Sequence, residues 1–127
     1  MKQIAASFVL LSVIFVLTAC APSHVLTEED AAETIRAVSR DPEPYFGHSF
    51  EYTGILVSET VLGETYRYVL IEGANGENLG FEIRFDGTYP DNGTKVSICG
   101  VLTAETVYGQ KYIYLKVSDL TPAPERE

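Results

Sequence analysis

The 127-residue chain holds two histidines, two cysteines, and nine lysines and arginines against eighteen aspartates and glutamates. Each shortage removes a class of chemistry. Two separated histidines and the one thiol expected to remain free, Cys99, give no zinc-ligand spacing. Nucleophilic catalysis needs a base within reach of its nucleophile, and His48 is the single histidine expected near the domain core. Arg36, Arg40, Arg67, Arg84, Lys95, Lys111, Lys116 and Arg126 are scattered, whereas a nucleic-acid groove needs a basic track. The formal net charge of -9 adds a field that repels phosphate backbones. Both features argue against nucleic acid as the main partner. Asp86, Asp91 and Asn92 share a loop with Gly87 and Gly93, but the alternating ligands and terminal glutamate of an EF-hand are missing. Turn chemistry accounts for those residues equally well. The expectation is a protein without catalytic residues, metal or cofactor.

What the chain does have begins at its start. Lys2 precedes an apolar run over residues 4–17, and small residues follow. That order describes a secretory signal. The run is about 14 residues long, short of the roughly 20 that a bilayer span needs. The tetrapeptide Leu17-Thr18-Ala19-Cys20 closely resembles the lipobox of bacterial lipoproteins. The resemblance implies a thioether to diacylglycerol on Cys20, further acylation with chains such as palmitate, and removal of residues 1–19. Residues 20–26 would then be a lipidated tether. The protein would be exported and held on the extracytoplasmic face of a cell membrane or envelope. Cys99 would be the only thiol left, reading as a small buried hydrophobe.

The mature chain has room for one domain, expected over residues 27–121, with residues 122–127 as a disordered tail. Thr27 is placed to cap a helix, acidic residues fill the first turn, and Asp41-Pro42-Glu43-Pro44 stops it. A helix over 28–40 follows, with Ala31, Ile35 and Val38 as a thin apolar stripe. Strands are then expected over 49–58, 66–72, 79–85, 95–107 and 110–117. Leu79, Phe81, Ile83 and Phe85 alternate most cleanly. In the first strand the apolar pair changes parity, from Phe50 and Tyr52 to Ile55 and Val57. That change predicts a bulge or bend at Gly54. A second bend is expected at Gly100. Asn75-Gly76 and Tyr108-Gly109 mark turns.

This pattern gives a mainly β fold, a small five-stranded barrel preceded by one N-terminal helix. The stretches 45–54 and 92–102 resemble the tRNA-anticodon-like OB family. An SH3-like barrel or a small sandwich satisfies the same alternation. Many OB-folds carry a helix between their third and fourth strands, and residues 86–94 are too short and too turn-rich for one. The OB resemblance places a ligand face across the second and third strands, flanked by two loops. Tyrosines are the candidate ligand residues there: Tyr66, Tyr68, Tyr108, Tyr112 and Tyr114. Tyr112 and Tyr114 point outward if Ile113, Leu115 and Val117 face the core, while the direction of Tyr66 and Tyr68 is open. The leading expectation is a lipid-anchored, non-enzymatic binding module for a protein, peptide or glycan. The alternative is a binder of single-stranded nucleic acid.

Overall fold

The computed structural model describes residues 20–124. The expected signal segment and the last residues of the expected tail lie outside the described residues. A two-residue strand β1 (His24–Val25) comes first, then helix α1 (Ala31–Arg40) and a short 3-10 turn (Glu43–Tyr45). Five longer strands follow: β2 (Ser49–Val61), β3 (Glu64–Glu72), β4 (Asn78–Phe85), β5 (Lys95–Val107) and β6 (Gln110–Pro122).

The strands close on themselves. Their order is β2-β3-β4-β6-β5, and β5 pairs back to β2. All neighbours in the ring are antiparallel except β4 and β6, which run parallel over Ile83–Phe85 and Leu115–Val117. This is the ring of an OB-type barrel. Its interior holds Phe50, Tyr52, Leu56, Val69, Phe81, Ile83, Val96, Ile98, Leu102, Leu115 and Val117. Burying each such side chain contributes about 1.5–3 kcal/mol. Ile35 and Val38 of α1 join the same core. The helix packs on β3 and β4, and Arg36 pairs with Glu77 in the β3–β4 turn at 3.3 Å. No helix lies between β4 and β5.

Several local expectations change. Helix α1 starts at Ala31 rather than residue 28. The Asp30 carboxylate accepts the Thr27 N–H (2.8 Å) and its hydroxyl (3.0 Å), so the acidic triplet forms a turn ahead of the helix. The expected bulge at Gly54 is absent. Pairing with β5 runs in register from Ser49↔Val101 to Ile55↔Lys95, and Phe50, Tyr52, Gly54 and Leu56 all point inward. Ile55 is therefore exposed and Leu56 buried, the reverse of the expected parity. Gly54 serves a close crossing instead. A Cβ there would meet Leu70 O at 2.6 Å and Val69 Cγ1 at 2.8 Å. At this point β2 changes partner from β5 to β3.

At Gly100, the position of the expected bend, the β5–β6 ladder shifts register. Cys99 faces Asp119 and Gly100 faces Val117, leaving Ser118 as the extra residue. Strand β6 therefore continues past residue 117, and Pro122 pairs with Val96 where a tail was expected. The segment expected as a tether is docked. His24 and Val25 pair parallel to Phe50 and Glu51. The Ser23 N–H donates to Ser49 Oγ (2.8 Å), and the Ser49 hydroxyl donates to Ala21 O (2.9 Å). Cys99 is buried as expected, but it is not a free thiol here: its sulfur is bonded to that of Cys20. One sulfur cannot hold both this bond and a thioether. His48 Nδ1 lies 3.1 Å from His24 Nε2, and His24 stacks on Phe50 at 4.7 Å.

Candidate functional site

The parallel seam between β4 and β6 is short. Arg67 is the first residue of β3 to pair with β4, opposite Ile83, so residues 64–66 of β3 have no β4 partner. Residues 110–114 of β6 likewise run past the end of the seam. Two hairpins, β2–β3 and β5–β6, thus project beyond the closed ring. The space between them is a groove of about 520 Å³. Its walls carry Glu64, Tyr66 and Arg67 from β3, Glu82 and Arg84 from β4, and Glu105 and Tyr112 from β5 and β6. Tyr89, from the loop after β4, completes it.

The side chains on this surface are held by one another. The Arg84 guanidinium lies 3.9 Å from the Tyr114 ring centre. It donates to Glu105 at 2.9 Å and pairs with Glu82 at 3.5 Å. Partial burial alone would lower the Arg84 pKa, but the Glu82 charge and the Glu105 hydrogen bond reverse the sign and raise it. Arg67 lies over the Tyr89 ring at 4.1 Å. The Tyr89 hydroxyl accepts the Phe85 N–H at 2.8 Å, which ties the loop back to β4. Tyr68 stands opposite Val57 and Glu82 on the outer face. Partial burial first, then the charges of Glu82 and Glu59, raise its phenol pKa. Cation-over-ring contacts of this kind fix the orientation of both partners.

The five tyrosines expected as ligand residues separate. Tyr66 and Tyr112 line the groove. Tyr114 supports it through Arg84. Tyr68 sits one ladder step away, beside Glu82. Tyr108 is fully exposed on the β5–β6 turn. Sequence reading missed Tyr89, Arg67, Arg84 and the three glutamates, because they come from different strands and a loop. Arg67 carried a local signal: it shares the phase of Val69 and Ile71, which puts a charged residue on the inward side where the barrel opens. The loop residues considered for Ca²⁺ have a structural use. Asn92 Oδ1 accepts the Ser58 N–H at 2.8 Å, and the Thr94 N–H donates to Asp91 O at 3.1 Å. Among the described residues, no group of three or more His, Cys, Asp or Glu side chains is placed to hold a metal ion.

No known family profile matches the chain, and no curated protein matches it. A solved structure that resembles it is the dimeric N-terminal domain of PriB protein from Thermoanaerobacter tencongensis. The two share 18% identity over 61% of this chain and 97% of that one, with a TM-score of 0.43. At that level of likeness the fold assignment rests on the strand order itself. The expectation against nucleic acid as a partner is corrected at this point. It treated the basic residues as scattered, yet the fold gathers Arg67 and Arg84 onto tyrosine rings beside one groove.

Proposed function

We propose that this chain is a non-enzymatic binding module, carried on the outer side of a membrane by lipid on Cys20, whose groove takes an extended oligosaccharide. One observation carries the ligand class. The groove lines tyrosine rings (Tyr66, Tyr89, Tyr112) with carboxylates (Glu64, Glu82, Glu105) and two guanidiniums. A sugar ring offers an apolar C–H face and a rim of hydroxyls. Tyrosine rings cover the first, and carboxylates accept from the second while guanidiniums donate to it. The volume of about 520 Å³ is within the range of small-ligand sites. The anchor rests on Leu17-Thr18-Ala19-Cys20.

A second reading, single-stranded nucleic acid, is favoured by the Arg67–Tyr89 and Arg84–Tyr114 stacks. Bases stack on aromatic rings and on guanidinium planes alike. One titration separates the two. The full chain in detergent micelles is titrated with an N-acetylglucosamine tetramer and with a short single-stranded oligonucleotide, at low and moderate salt. Tetramer binding that resists salt and is lost in Tyr66→Ala and Tyr112→Ala is the expected result. Oligonucleotide binding that falls steeply with salt moves the assignment to the second reading. Binding of neither removes the groove as a ligand site.

A further inference from the structure

Both hairpins that flank the groove turn in two residues, Leu62-Gly63 and Tyr108-Gly109. The φ angles are 52° and 82° in the first, and 51° and 76° in the second. Positive φ at both central positions marks the tight hairpin turn that favours asparagine, aspartate or glycine in its first place. Here that place holds a leucine and a tyrosine. They are the non-glycine residues with positive φ among the described residues. A bulky side chain in the left-handed region is strained. Burial does not compensate for it, because Leu62 is 98% exposed and Tyr108 is fully exposed. Val61 and Val107, beside them, are exposed as well.

Two separate turns thus make the same exception, each against local preference and each setting an apolar side chain in water. They share a location: Glu64 follows the first turn and Val107 precedes the second, and both line the groove. Strain retained at two equivalent places beside a cleft points to contact with what the cleft holds. We propose that Leu62 and Tyr108 are the two contact tips of the groove, closing on the apolar ring faces of its ligand from opposite sides. This rests on the oligosaccharide reading, and it adds the residues that grip the ligand ends. Glu59 and Glu64 flank the Leu62 turn on the protruding strands. The tips therefore suit a ligand with hydroxyl or amide N–H donors around an apolar face, which an N-acetylated sugar has.

The test uses Leu62→Asn and Tyr108→Asn, singly and together, in the full chain in detergent micelles. Asparagine relieves the turn, so each variant should melt higher, by roughly 2–5 °C for a domain of this size. The same variants should bind the N-acetylglucosamine tetramer more weakly, with the double variant losing about tenfold or more. A higher melting point with unchanged affinity overturns the contact role and leaves the groove reading intact. Unchanged or lower melting points in both single variants overturn the strain argument, and the inference with it. If wild type binds only the oligonucleotide, the oligosaccharide reading fails and the contact role stated here falls with it, whatever the melting points show. If wild type binds neither probe, the groove reading fails and the contact role falls too.

Discussion

The Tyr52 hydroxyl donates to Val69 O at 2.6 Å and accepts the Phe81 N–H at 3.2 Å. Val69 and Phe81 face each other in the β3–β4 ladder. A side chain from β2 therefore stands between two backbone groups and joins three strands in the barrel interior. Tyr52→Phe leaves that carbonyl and that N–H without their partner in a buried place. The expected loss is about 1–3 kcal/mol, read from urea unfolding. Burial raises the Tyr52 pKa above the ordinary tyrosine range, and the Phe81 N–H opposes it more weakly. The folded phenol thus keeps its proton after the unfolded one has lost it. Its stability contribution is intact below the unfolded value and declines as pH climbs past about 10. Wild type should lose stability there, and Tyr52→Phe should show a flatter alkaline slope. Equal slopes in the two proteins would remove Tyr52 as the cause.

Gly54→Ala tests the crossing of β2 and β3. The added Cβ would lie 2.6 Å from a backbone oxygen, Leu70 O, which cannot rotate aside. Overpacking of this kind costs about 1–3 kcal/mol. Chemical denaturation measures it. A change smaller than about 0.5 kcal/mol would mean that β3 shifts freely at Leu70.

The Gly54 case shows how much of the fold is legible in sequence. Strand β4 was readable because Leu79, Phe81, Ile83 and Phe85 have no competing apolar residues between them. Strand β2 was not, because Ile55, Leu56 and Val57 are all apolar and the inward phase passes through a residue without a side chain. The groove was legible only through its candidate tyrosines Tyr66 and Tyr112. Its charged half depends on where β4 ends against β6, and the parallel seam of Ile83–Phe85 with Leu115–Val117 has no local signal. The same holds for His24 and His48, which meet only because β1 docks on β2.

Arg84→Lys separates charge from shape in the groove. Lysine keeps the cation but not the planar fork that lies on Tyr114 and reaches Glu105. The Arg84 side chain is 42% exposed, so the fold should change by less than about 0.5 kcal/mol. Ligand affinity should fall about tenfold, the ~1.4 kcal/mol of one charge-assisted hydrogen bond. Thermal melting and the tetramer titration read the two quantities. A large drop in melting temperature would make Arg84 a structural residue of the barrel instead.

Cys20 is where the lipobox resemblance and the structure make different demands on one atom. The tetrapeptide Leu17-Thr18-Ala19-Cys20 asks its sulfur for a thioether. The fold bonds that sulfur to Cys99 across 79 residues of sequence. In cells, Cys20→Ala should abolish acyl labelling, and unchanged labelling of the variant would sink the anchor. In acylated protein, Cys99 must then be free, and alkylation after unfolding should mark it in every acylated molecule. A chain produced from Cys20 onward, without the signal, has no lipid to compete and should form the disulfide. Closing a loop of that length constrains the unfolded chain by about 4.5 kcal/mol in the chain-entropy model. Cys99→Ala should therefore cost the unacylated chain about 2–4 kcal/mol, most of it also removed by reductant. The acylated chain has no such bond, so the same substitution should cost it only the packing of one small side chain, about 1 kcal/mol. Paired urea melts of the two forms measure the difference. Equal costs in both would mean that the Cys20–Cys99 bond adds nothing to the stability of this barrel.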